Sequence, residues 1–225
     1  MKVELENVKP MDIEKRSFEI ITEELGDTPL LPGTELVVKR CIHTSADFDY
    51  AKNLCFSENA VEKAIQAIKD GACIVTDTQM AKAGINKRAL ARYGGEVYCF
   101  MSDEDVAKIA KENGSTRATA SMDKAAGLDK KLIFAIGNAP TALVRLYELI
   151  EEKKLDPKLI IGVPVGFVNV VESKEVLFAA CERYGVPAIA AMGRKGGSNV
   201  AAAICNALIY SAAEMLDPSA RGWNG

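Results

Sequence analysis

Among its 225 residues the chain has a single histidine and a single tryptophan, and aromatic residues make up only 6%. No stretch approaches the roughly 20 uninterrupted apolar residues of a bilayer-crossing helix, which argues against a transmembrane segment. The opening Met1-Lys2-Val3-Glu4-Leu5-Glu6 lacks both the apolar stretch of a signal peptide and the Arg-rich, acid-poor character of a transit peptide, so a cytoplasmic location is expected. The six cysteines, Cys41, Cys55, Cys73, Cys99, Cys181 and Cys205, are far apart and form no C-x-x-C pair. That spacing excludes the usual zinc and dithiol motifs and points to reduced, mostly buried thiols. Neither G-x-x-x-x-G-K-[ST] nor a strand-end G-x-G-x-x-G occurs, which leaves nucleotide binding without support. With a formal charge of -3 and dispersed lysines, no basic patch suggests a nucleic-acid partner.

What is present is a globular composition, 48% hydrophobic and 26% charged, at a length suited to one domain over residues 1–225. Apolar runs predict strands at Leu36 to Ile42, Ala72 to Thr76, Glu96 to Met101, Lys131 to Ile136, Lys158 to Val163 and Pro187 to Ala191. Helical spacing predicts helices at Met11 to Leu25, Ser57 to Asp70, Ser102 to Asn113, Thr141 to Glu152, Lys174 to Tyr184 and Asn199 to Leu216. Alternating elements with continuously apolar strands imply an α/β fold, a mainly parallel sheet with helices on both faces. The residues from Asp217 to Gly222 read as a tail, and the alanines of the last helix suggest close packing on the sheet or on a partner subunit.

The lone histidine stands in Arg40-Cys41-Ile42-His43-Thr44-Ser45-Ala46-Asp47. Imidazole is the side chain that best moves protons near neutral pH, so any such chemistry through imidazole falls to His43. Arg40 adds a fixed cation with a planar fork of donors, and Thr44 and Ser45 add short hydroxyls; the string suits an anionic substrate. An isolated histidine is ordinarily a packed or surface residue, and it is these neighbours that favour a site. Cys41 lies two residues from His43, and on a strand the two would share a face, but no third group to orient a Cys-His nucleophile is apparent.

In a parallel sheet, ligands collect where strands end and helices begin. Four polar motifs fall there: Thr76-Asp77-Thr78-Gln79-Met80, Gly137-Asn138-Ala139-Pro140-Thr141, Gly162-Val163-Pro164-Val165-Gly166-Phe167-Val168 and Gly193-Arg194-Lys195-Gly196-Gly197-Ser198. Each also has a structural use, with Pro140 suited to a first helical turn, Gly137 and Gly166 to sharp turns, and Asp77 or Asn138 to a helix cap. The last motif is the strongest as an anion cradle, since it combines adjacent cations, exposed amides and the start of a helix. Arg194, Lys195, Gly196, Gly197 and Ser198 are its candidate ligands, with Thr76 and Asn138 from the neighbouring strand ends. Arg117 is either a further cation of the site or a solvated helix residue.

Taken in order over nearly the whole chain, the histidine string and these four motifs resemble the precorrin-8X methylmutases of cobalamin biosynthesis and their cobalt-precorrin-8 counterparts. The resemblance implies an isomerase that moves one methyl group between adjacent ring carbons, giving hydrogenobyrinate or cobyrinate. The step is formally a suprafacial 1,5-sigmatropic shift that needs no organic cofactor and no resident metal; cobalt, if present, belongs to the substrate. By the same resemblance His43 gives a proton to the macrocycle or hydrogen-bonds a ring nitrogen, Ser17 and Arg40 contact substrate, and the enzyme is a homodimer. A tetrapyrrole polycarboxylate fits the clustered cations, and its broad ring needs apolar walls, for which Met80 and Phe167 are candidates. Two other readings stay open: a non-catalytic corrinoid carrier, and a hydrolase or transferase of a small phosphorylated substrate.

Overall fold

The computed structural model describes residues 6–217. The fold is α/β, and among those residues six strands form one sheet: β1 Leu54–Phe56, β2 Cys73–Thr76, β3 Val97–Tyr98, β4 Leu132–Ile136, β5 Leu159–Gly162 and β6 Ala188–Ala191. Their order is β1-β6-β5-β4-β2-β3. All neighbours run parallel except β1, which closes one edge antiparallel to β6 through Leu54 opposite Ala191 and Phe56 opposite Ile189.

The helices are α1 Ile13–Leu25, α2 Glu35–Ser45, α3 Tyr50–Asn53, α4 Ala60–Lys69, α5 Gln79–Gly84, α6 Lys87–Ala91, α7 Glu104–Glu112, α8 Arg117–Ala126, α9 Pro140–Glu151, α10 Val170–Tyr184 and α11 Ser198–Ala212. Because successive strand side chains point to opposite faces, the central strands feed two cores. Ile74, Ile133, Ala135, Ile161 and Ile189 pack beneath α1, α2, α4 and α11. Cys73, Val75, Phe134, Ile136 and Ile160 pack beneath α8, α9 and α10. Each large apolar side chain so buried contributes about 1.5–3 kcal/mol, which is why these strands read as uninterrupted apolar runs. Within α11, the small residues Ala201 and Ala207 are fully buried where that helix meets the sheet, α2, α4 and α5.

One expected strand is overturned. Residues 36–42 belong to helix α2. Val37, Val38, Cys41 and Ile42 are its buried positions, and the spacing i, i+1, i+4, i+5 is the stripe of a helix packed on one side. The three-residue edge strand β1, too short to carry a periodic signal, takes the place of the missing strand. The expected strand over Glu96 to Met101 shrinks to Val97–Tyr98, and α3, α5, α6 and α8 were not anticipated. Residues 218–222 of the expected tail lie outside the described residues.

Chain direction through the sheet reverses beside β2, whose sequence neighbour β3 lies on one side and β4 on the other. At such a switch point the loops after two strands diverge and leave a crevice at their carboxyl ends. The Thr76 and Gly137 motifs occupy that crevice, with the amino end of α11 beside them.

Candidate active site

His43 sits in the last turn of α2. A helix brings residues three and four apart onto one face, so Arg40, His43 and Thr44 point together while Cys41 turns into the core at 0% exposure. Burial raises the Cys41 thiol pKa, which removes it as a nucleophilic partner of the histidine. Arg40, His43 and Thr44 line a cleft of about 250 Å³ with Gly84, Asn199, Ala202, Ala203 and Asn206. The other wall is therefore α11, whose Asn199 Nδ2 donates to the Thr44 carbonyl at 3.5 Å and whose Asn206 Nδ2 donates to the Gly84 carbonyl at 2.9 Å.

The Arg40 guanidinium lies between two aromatic faces, 5.1 Å from the Phe18 centroid and 5.0 Å from that of Tyr210, and pairs with Glu14 at 2.5 Å. Phe18 also meets the imidazole, with ring centroids 5.5 Å apart. Partial burial lowers the His43 pKa; the Glu14 carboxylate raises it and the Arg40 cation lowers it further. Ser17, on α1, donates its hydroxyl to the Ile13 carbonyl at 2.9 Å and does not line this cleft. Ser45 donates to the Cys41 carbonyl and accepts from the Asp47 amide, so its hydroxyl shapes the end of α2.

The strand-end motifs converge around Asp77. Its buried carboxylate accepts the amides of Gly137, Asn138 and Ala139 at 2.9, 2.8 and 2.6 Å, which ties the end of β2 to the turn entering α9. Burial raises the Asp77 pKa, against the lowering effect of those amides. Thr76 is fully buried and donates to backbone carbonyls of Thr78 and Tyr98, so its hydroxyl is turned away from solvent. Ser198 opens α11 and shares a 2.8 Å hydrogen bond with Thr78. Gly137 allows this approach, because a Cβ there would stand 2.7 Å from the Ser198 Cα.

Lys195 pairs with Asp47 and Asp49, each at 2.6 Å. The cradle and the histidine string, some 150 residues apart in sequence, are thereby tied together. Gly196 and Gly197 adopt φ of +156° and +138°, and a Cβ at Gly196 would meet the Val163 carbonyl at 2.1 Å. Arg194 is exposed, with its guanidinium 5.4 Å from the ring centroid of Phe167. Phe167, Val168 and Met80 are 81%, 77% and 70% exposed and form apolar points around the strand ends. Arg117 begins α8 beside the start of α9, where Thr116 and Thr141 share a hydrogen bond of 2.9 Å. Asn138 is exposed on the turn that Asp77 holds.

Sequence reasoning passed over Asn199 and Asn206, which form the second wall of the histidine cleft. Their seven-residue spacing puts them on one helix face, but an asparagine on an exposed helical stripe carries no separate signal. It also passed over Lys174, which is 1% exposed and donates to the carbonyls of Gly193 and Lys195 at 2.8 and 2.9 Å; burial pushes its ammonium down to about 8. Five of the six cysteines are buried and Cys55 is half-buried, all as free thiols, and among the described residues no helix is long and apolar enough to cross a membrane.

The precorrin-8X methylmutase family profile matches residues 12–211. The chain is 46% identical to a cobalt-precorrin-8 methylmutase of Priestia megaterium, over 89% of this chain and 88% of that protein. It is 47% identical to a cobalt-precorrin-8 methylmutase of Salmonella typhimurium, over 90% and 95%. The fold superposes on the crystal structure of a precorrin-8x methyl mutase from Thermus thermophilus with a TM-score of 0.81 at 39% identity, covering 90% of this chain and 98% of the other.

Proposed function

The chain belongs to the precorrin-8X methylmutase family, isomerases of cobalamin biosynthesis, and from that premise we propose that it shifts a methyl group between adjacent ring carbons of cobalt-precorrin-8 to give cobyrinate, with His43 as the acid. The cobalt-containing substrate is favoured because the relatives at 46% and 47% identity carry that name, while the precorrin-8x enzyme of Thermus stands at 39%. In the shift, the bond from the methyl carbon to one ring carbon breaks as the bond to its neighbour forms. No electrons are gained or lost overall, so the protein's task is to bind, orient and move a proton.

The observation that carries the reading is the placement of His43. It is the one imidazole of the chain, lines a cleft beside Arg40, and is joined to the cation-rich cradle through Asp47, Asp49 and Lys195. A positioned acid of this kind typically contributes about 100- to 10,000-fold. With cobalt on the ring nitrogens those lone pairs are taken, so His43 acts at a ring carbon or hydrogen-bonds the rim. The exposed guanidiniums of Arg194 and Arg117 suit peripheral carboxylates, whereas Arg40, already paired with Glu14, holds the histidine face in shape. The cleft of about 250 Å³ is smaller than the roughly 300–1,000 Å³ of ordinary ligand sites. A macrocycle would overrun it onto Phe167, Val168 and Met80, and a second copy of the chain would complete the enclosure in a cytoplasmic homodimer without bound cofactor.

The test is anaerobic incubation with cobalt-precorrin-8 and, separately, metal-free precorrin-8, followed by visible absorption and by NMR of the migrated methyl. Conversion of the cobalt form is expected, and His43→Ala is expected to lose turnover while still binding. Spectral shifts without conversion by the unaltered protein would favour a carrier, and an H43A variant as active as the parent would remove the histidine from the mechanism.

A further inference from the structure

Three glycines at positive φ, Gly193 at +76°, Gly196 at +156° and Gly197 at +138°, leave the cradle with little conformational preference of its own. Contacts from outside must therefore fix it. The Gly197 amide donates to the Val163 carbonyl at 2.9 Å, and the Arg194 carbonyl accepts from the Gly166 amide at 3.2 Å. The carbonyls on either side of Arg194, those of Gly193 and Lys195, are both taken by the Lys174 ammonium.

Lys174 is an unusual residue to find there. It is 1% exposed, and among the described residues no carboxylate lies within ion-pair distance of it. Burying an ammonium away from counter-charge is expensive, and among the described residues its hydrogen bonds go to this one segment. Geometry gives those bonds a consequence. In a planar trans peptide the N–H points opposite to the C=O of the same unit. Drawing the Gly193 and Lys195 carbonyls toward Lys174 therefore turns the Arg194 and Gly196 amides away from it, and neither amide has an acceptor among the described residues. Both N–H groups thus face the side opposite Lys174 as donors open to an anion, with the lysine's charge behind them.

We infer that Lys174 is a positioning residue, which holds residues 193–197 so that the Arg194 and Gly196 amides bind one peripheral carboxylate of the substrate. The inference rests on the methylmutase reading above and adds to it a residue that need not touch the substrate. Lys174→Met keeps the length and volume of the side chain while removing its donors. It is expected to raise KM, and the Kd of cobyrinic acid measured by titration calorimetry, by about 10- to 100-fold, the effect of losing a hydrogen-bonded charge contact, with kcat unchanged. A loss of packing alone would lower the folded fraction and kcat without moving Kd. A folded K174M with the parent's KM and Kd would overturn the inference. A second measurement does not depend on the variant: in 15N-labelled unaltered protein the Arg194 and Gly196 amide protons are expected to move downfield on adding cobyrinic acid. Binding that leaves both resonances in place would equally overturn it. Failure of the unaltered protein to bind or convert any corrinoid is a different result, and would remove the methylmutase reading itself.

Discussion

The imidazole of His43 lies between opposing influences, with burial and Arg40 disfavouring its charge and Glu14 favouring it. Burial leads, so the protonated ring persists only below a pH lower than the ordinary histidine value of about 6.5. If His43 is the acid, kcat/KM falls as pH rises through that depressed midpoint, since the protonated form of the free enzyme is the active one. Glu14→Gln removes the influence that raises the pKa and should move the midpoint lower still. A pH profile flat across this range would show that His43 acts as a neutral hydrogen-bond donor. His43, Thr44 and Arg40 were legible in the sequence through the charge and donors that their side chains carry, and all three line one cleft. Ser45 and Thr76 were picked out by the same reasoning and Ser17 through the family resemblance, yet the hydroxyls of all three are donated to backbone carbonyls. Hydrogen bonds to nearby backbone are what short hydroxyl side chains most readily form, and residue type alone does not separate the two uses.

Elements carry the next level of information. The strands of the sheet centre were legible because both of their faces are buried, which leaves an unbroken apolar run. The same criterion misread residues 36–42, where Val37, Val38, Cys41 and Ile42 bury one helix face while Arg40 and His43 occupy another. The correction matters for the site, since a strand would have placed Cys41 with His43, whereas the helix places Arg40 there. Close approach of elements also sets a prediction. Gly137 sits under the first residue of α11, where a Cβ would meet backbone atoms of Ser198 at 2.7 and 2.8 Å. Backbone yields less easily than a flexible side chain, so Gly137→Ala should destabilise the fold by ~1–3 kcal/mol, the usual range for overpacking, and pull the α11 end of the cleft out of place. Urea denaturation and KM measured together check this; an alanine variant of parental stability and KM would show that α11 shifts without consequence.

For the molecule as a whole, the cleft of His43 is small, and exposed apolar side chains stand apart from its lining at the strand ends. Scattered exposed apolar residues are ordinary, but Phe167 and Val168 stand beside the cations of the cradle, at the carboxyl ends of the parallel strands. A site closed by a second copy predicts a particle of twice the 24.2 kDa chain mass by light scattering. Phe167→Asp should then weaken both dimerisation and corrinoid binding. A monomer that turns over at the full rate would show that one chain encloses enough of the ring.

By itself the sequence determined the α/β class, through apolar runs that have to be buried on both faces, and the chemistry of the histidine string and the cradle, through side chains whose charge and donors are intrinsic to them. Tertiary structure alone decided which of those groups meet. Lys195 reaches Asp47 and Asp49, Asn199 and Asn206 complete the cleft of His43, and Lys174 grips the cradle from inside the core. The first two join segments far apart along the chain, and the third joins α10 to the loop that opens α11. Composition and local periodicity fix how a segment folds and which face it buries, but which buried faces pack together follows from the order of strands in the sheet.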